Sequence, residues 1–194
     1  MDREIPATLD QRSMNPTALI EKYYSPGSFA HRILTIHSEQ VTRKALELAE
    51  RVKHLQPDVP FIREAAMLHD IGMIFTHAPD IGCYGDKPYI QHGILGRELL
   101  EKEGYPRHAL VCERHTGVGI TRADIARFRL PLPDRDLVPV TLEEKIICFA
   151  DKFFSKDPQK LEEEKSIEEI KEKLSRFGED KVRTIEEWVR FFGL

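Results

Sequence analysis

The run Ala65-Ala66-Met67-Leu68-His69-Asp70-Ile71-Gly72 ends an apolar helical stretch in an imidazole and a carboxylate. Adjacent side chains on one helix do not share a face. At a helix end, where the chain turns away, the two groups can converge on one point. A neutral imidazole nitrogen and a carboxylate together suit a first-row divalent cation. A single His-Asp pair arises easily by chance, so its meaning depends on what flanks it.

Towards the N-terminus, Phe29 to about Leu55 reads as a helix, with Val41, Ala45, Leu48, Ala49, Val52 and Leu55 on one face and His37 just before that stripe. Asn15-Pro16 offers a cap and a first-turn proline for a shorter helix over Thr17 to Tyr24. Gln56-Pro57-Asp58-Val59-Pro60 breaks the long helix. The next is expected from about Phe61 to Asp70, with Gly72 favouring its termination.

Towards the C-terminus, residues 73–88 form a loop, a candidate lid or substrate edge. Tyr89 to Glu103 reads as a helix with His92 in its first turn, and Pro106 opens another that closes at His115-Thr116-Gly117. Thr121 caps a short helix to about Phe128. Thr141-Leu142-Glu143-Glu144 is a capping box for a helix to Phe154 that carries Asp151 near its end. After Asp157-Pro158 the composition turns to mixed charge. Ser166-Ile167-Glu168-Glu169 is a second capping box, and Ile170, Leu174, Phe177, Val182, Ile185, Val189 and Phe192 recur at helical intervals. Trp188 is core or an oligomer contact. No strand and no repeat emerges, so the fold class is all-α. The expected organisation is an N-terminal arm over 1–14, a helical metal-binding domain over 15–156, and two amphipathic helices over 157–194 packed upon it.

The 194 residues are 41% hydrophobic and 32% charged, with a net charge of −4. That is ordinary for a soluble domain and offers no basic field for nucleic acid. No apolar run reaches the length of a membrane span. The start, Met1-Asp2-Arg3-Glu4-Ile5-Pro6, lacks the apolar core of a signal peptide. Cys83, Cys112 and Cys148 are widely spaced and show no zinc-binding pairing. A cytoplasmic location with reduced thiols is expected, and a homo-oligomer is left open.

His37, His69, Asp70, His92, His115 and Asp151 all fall at or near predicted helix ends. The histidines and Asp151 follow one another at intervals of 32, 23, 23 and 36 residues. Each interval is about one helical hairpin, so a bundle can gather them in its interior. Four imidazoles and two carboxylates exceed the need of one tetrahedral zinc. They suit two cations with open positions and one bridging carboxylate. His31, His54, His77 and His108 stand outside the pattern and read as surface or supporting residues.

This set resembles the H…HD…H…H…D pattern of the HD superfamily of metal-dependent phosphohydrolases, and His69-Asp70-Ile71-Gly72 matches its HDIG form. The resemblance covers about residues 31–156 and implies an HD-type helical bundle. It implies that His37, His69, Asp70 and Asp151 hold one metal and that Asp70 bridges to a second completed by His92 and His115. The catalytic role falls to Asp70 as bridge, with a metal-bound water as nucleophile. Two divalent ions are implied, Fe or Mn favoured, with Mg, Co, Ni or Zn admissible. The His-Thr-Gly run is more similar to bacterial diadenosine tetraphosphate hydrolases than to HD-GYP cyclic-dinucleotide phosphodiesterases.

Hydrolysis of a nucleotide or other small phosphate ester or anhydride is therefore the expected activity. Lys87, Arg114, Thr116 and Lys152 are candidate substrate contacts, although the three basic residues read equally well as solvated charges. The mixed-valent di-iron oxygenases of the same superfamily share these ligand types and remain the alternative, as does a non-catalytic nucleotide-binding module.

Overall fold

The computed structural model describes residues 14–194. The expected N-terminal arm lies outside the described residues apart from Met14. Helix α1 (Pro16–Tyr23) starts at Asn15, whose side chain accepts from the Ala18 amide. Ser28 caps α2 (Phe29–Arg51) in the same way, and Asp58 caps α3 (Val59–Leu68). There follow α4 (His92–Lys102), α5 (Pro106–Arg114), α6 (Arg122–Phe128), α7 (Leu142–Lys152), α8 (Ile167–Ser175) and α9 (Glu179–Phe192). Among the described residues no helix is long and apolar enough to cross a membrane.

Three features depart from the sequence expectation. The loop over 73–88 holds two short antiparallel strands, β1 (His77–Ala78) and β2 (Cys83–Tyr84), with Ala78 opposite Cys83. Helix α3 stops at Leu68, and a 3₁₀ turn runs through Ile71–Phe75. Gly72 therefore ends no helix and has no positive φ. Its small size is needed for another reason: a Cβ there would collide with backbone of His92 and Gly96 on α4. The Thr141 box is half made. Thr141 accepts from the Glu144 amide at 3.2 Å, while the Glu144 carboxylate accepts instead from the Val140 amide at 2.7 Å and pairs with Arg114. The Ser166 and Thr121 boxes are reciprocal.

The apolar interior has two clusters. One joins the C-terminal half of α2 (Val41 to Ala49) with α3, α7, α8 and α9, including Phe149, Trp188 and Phe192. The other joins α1, the N-terminal part of α2 (Ala30, Ile33, Leu34), Leu68, Ile71, Met73 and parts of α4 and α5. Along α2, His37 falls between these two sets of residues; along α3, His69 follows the last of them. The polar seam between the clusters is where the histidines gather. Within the second cluster the Tyr24 hydroxyl donates to the Ile71 carbonyl at 2.9 Å and accepts from the Ile74 amide at 3.0 Å.

Candidate metal centre

The end of α3 explains how neighbouring residues come to share a target. His69 keeps helical dihedrals, but Asp70 leaves the helix at φ −107°, ψ 7°, so its carboxylate swings beneath the imidazole. His37 comes from the middle of α2 rather than from a helix end as expected, His92 from the first turn of α4, His115 from the end of α5 and Asp151 from the last turn of α7. All six are buried.

Their ligand atoms form two groups sharing Asp70: His37, His69, Asp70 and Asp151 in one, and Asp70, His92 and His115 in the other. The two oxygens of Asp70 divide between them. Oδ2 lies 3.2 Å from His37 Nε2 and 3.0 Å from His69 Nε2. Oδ1 lies 3.3 Å from both His92 Nε2 and His115 Nε2. Asp151 Oδ1 stands 3.0 Å from His37 Nε2 and 3.5 Å from His69 Nε2.

Three tautomers are fixed by the helices. The Nδ1–H of His69, His92 and His115 each donates to the carbonyl three residues earlier, at 2.7, 2.7 and 2.8 Å. In the neutral ring this leaves Nε2 as a bare lone pair. Burial pushes the His92 pKa down to about 3, and burial also lowers that of His115, so both are neutral. Yet their Nε2 atoms stand 3.1 Å apart, facing Asp70 Oδ1. Three acceptors then converge with no proton among them, which repels unless a cation lies between. Nitrogen and oxygen ligands about 2.0–2.2 Å from one cation stand roughly 3–3.5 Å from one another. The observed spacings fall in that range, and Asp70 Oδ1 is buried without a hydrogen-bond partner. The residues fit divalent metal.

In the other group, protein charge offsets the carboxylates. Burial opposes a charge on His69, but Asp70 and Asp151 overcome it and raise its pKa to about 9. Burial likewise disfavours the Asp70 anion, while His69 and Lys156 hold it well below the usual carboxylate range. Lys156 Nζ lies 2.7 Å from Asp70 Oδ2, with its side chain 18% exposed. Tyr89 stacks on His92 at a centroid distance of 4.7 Å. Neither Lys156 nor Tyr89 stands out in the sequence. Lys156 opens the charged C-terminal run, and only the turn after α7 brings it back over Asp70.

The site opens into a cavity of about 1010 Å³ lined by His92, His115, Thr116, Asp151, Lys152 and Lys156, among others. Gly117, at φ +63°, turns the chain after Thr116 along this wall. Of the candidate substrate contacts, Thr116 and Lys152 face the cavity. Lys152 Nζ donates to the His115 carbonyl at 3.2 Å and pairs with Asp151 Oδ2 at 2.6 Å. Arg114 is turned to Glu144, and Lys87 sits beside Asp86 in a separate groove. Neither lines the cavity.

Residues 34–156 match the HD domain. The chain belongs to the HD-domain family. Its buried His/Asp cluster is consistent with the metal site of an HD domain. It is 39% identical to an uncharacterized protein of Methanocaldococcus jannaschii over 59% of this chain and 62% of that one. It is 34% identical to a tRNA (cytidine(56)-2'-O)-methyltransferase of Picrophilus torridus over 66% of this chain and 33% of that one. A third relative, Ribonuclease Y of Aquifex aeolicus, is 33% identical over 54% of this chain and 20% of its own length. The HD-domain chain thus spans less than two thirds of each of these relatives. No solved structure matches it.

Proposed function

We propose that this HD-domain protein is a metal-dependent phosphohydrolase that binds two divalent cations, bridged by Asp70, and acts on a nucleotide or other small phosphate ester or anhydride. The observation that carries the reading is the division of the two Asp70 carboxylate oxygens between two pairs of imidazole Nε2 atoms. His37, His69 and Asp151 would hold the first cation with Asp70; His92 and His115 would hold the second. The His/Asp donor set admits Fe, Mn, Mg, Co, Ni or Zn, and the family resemblance favours the first two. Such ions would acidify a water and offset charge on a phosphoryl group near neutral pH.

The chain's own residues supply position and charge. Lys156 and Lys152 place two ammonium groups beside the carboxylates and at the cavity wall, where a substrate phosphate would meet them. Thr116 adds a hydroxyl on the same wall. Phosphoryl transfer draws mainly on positioning and electrostatic stabilisation, so no serine or cysteine nucleophile is required. Because one relative is named as a ribonuclease, phosphodiesters belong in the assay beside monoesters and anhydrides.

The test is phosphate release or diester cleavage by protein stripped with chelator and then reloaded with Mn, Fe, Co, Ni, Zn or Mg. Activity should vanish on stripping, return with at least one ion, and be absent in Asp70→Ala. Hydrolysis that survives in Asp70→Ala, or no turnover across the whole metal and substrate panel, would overturn the reading.

A further inference from the structure

The cavity is far larger than a phosphate group, and its walls change character with distance from the histidines. At about 1010 Å³ it lies at the upper end of the range for small-molecule sites, which are mostly apolar with a few placed polar groups. Lys152 and Lys156 stand at the His/Asp end. The rest of the lining includes Val118, Phe128, Leu130, Leu174 and Phe177, together with Lys173 and the Asp124–Lys181 ion pair. Leu174 lies on α8 and Phe177 on the turn that follows, both beyond the residues 34–156 that match the family. The C-terminal segment thus adds Leu174 and Phe177 to a wall whose Val118, Phe128 and Leu130 belong to the residues that match the family.

Phe128 and Phe177 are large apolar side chains left 39% and 51% exposed, with ring centroids 6.5 Å apart at 81°. Both line the cavity. Two aromatic faces in one recess, continuous with a cationic end, match a ligand that is charged at one end and flat and apolar at the other. Orthophosphate or a small aliphatic ester would fill only the first part.

We infer that α8 and the turn after it are the specificity wall, and that the ligand is a phosphate ester bearing an aromatic or heteroaromatic group. The phosphate lies at Lys152 and Lys156, and the ring lies against Phe128 and Phe177. The inference rests on the phosphohydrolase reading only for the phosphate end. Phe177 acts by contact with the ring and takes no part in the chemistry.

The test is titration calorimetry on the Mn-loaded full chain with uncleavable probes, methylphosphonate and 1-naphthylphosphonate, repeated with Phe177→Ala and Phe177→Tyr. Stacking of one ring on an aromatic side chain changes affinity by roughly tenfold or more. The naphthyl probe should therefore bind the wild-type protein at least about tenfold more tightly than the methyl probe. Phe177→Ala should remove most of that preference, leave methylphosphonate affinity and metal stoichiometry unchanged, and Phe177→Tyr should restore it. Equal binding of the two probes, or an equal loss of both in Phe177→Ala, overturns the inference and leaves the hydrolase reading intact. A naphthyl preference lost in Phe177→Ala supports it even if no ester is turned over, an outcome that would count against the hydrolase reading alone.

Discussion

At the residue scale, the site is defined by which nitrogen carries the proton. His92 and His115 are locked by the Tyr89 and Cys112 carbonyls into the tautomer that aims a lone pair at Asp70. This has a consequence for the chelated protein. The His92 pKa falls from 6.5 in the unfolded chain to about 3 in the fold, mainly through burial. The fold binds the neutral ring, so the unfolded chain takes up a proton first as pH falls. The His92 contribution is full above about pH 6.5 and declines as pH drops towards 3. That of His69, whose pKa is raised to about 9, is full below about pH 6.5 and is lost as pH rises through 9. The Tm of the chelated protein should therefore fall on both sides of about pH 6.5. Asp70 and Asp151, with lowered pKa values, add their loss as pH falls through the ordinary carboxylate range and below it. A Tm that holds constant between pH 6.5 and 4 would contradict this. Lys156 yields a second prediction. Its ammonium lies 2.7 Å from Asp70 Oδ2, where it would compete with a bound cation. Lys156→Met should tighten divalent-ion binding and weaken binding of a phosphate probe such as vanadate, both read by calorimetry; movement of both in one direction would contradict its placement. The six His and Asp residues were legible in the sequence because a His-Asp run sits among further histidines and an aspartate at intervals of about one helical hairpin. Lys156 was not, because its place depends on the turn after α7 rather than on any local period.

At the element scale, the helices follow from periodicity and caps, and most appear near where the sequence puts them. The exceptions arise from tertiary contact. Gly72 looks like a helix stop, yet its smallness serves the close approach of α4, which carries His92. Gly72→Ala is expected to destabilise the fold by about 3 kcal/mol, the upper end of the range for overpacking. It should also reduce bound metal more than Tm alone would explain, because α4 must shift. Tyr24→Phe leaves the Ile71 carbonyl and Ile74 amide without their shared partner. That should lower stability by about 1–3 kcal/mol in denaturant unfolding. The strands over 77–84 were not legible, since two residues each are too short to carry an alternating pattern. The Glu144 carboxylate was diverted from its cap by Arg114, a partner 30 residues away that no local motif reveals.

At the scale of the whole molecule, one apolar cluster runs from α2 and α3 through α7 to α8 and α9. Trp188 packs edge-on to Phe149 at a centroid distance of 5.8 Å, linking the C-terminal pair to the helix that bears Asp151. Trp188→Ala should cost about 3–5 kcal/mol and lower the Tm of the whole chain in one transition. A separate early transition for the last two helices would contradict a continuous core. The same interior gathers five buried His and Asp side chains from five helical segments around the Asp70 carboxylate, and the account stands on that arrangement. Anomalous diffraction from a crystal of the Mn- or Fe-loaded protein tests it most directly. Two anomalous peaks, one within bonding distance of His37, His69, Asp70 and Asp151 and the other of Asp70, His92 and His115, are the expected result. A single peak that leaves His92 and His115 without a cation, or none at the cluster, would contradict it.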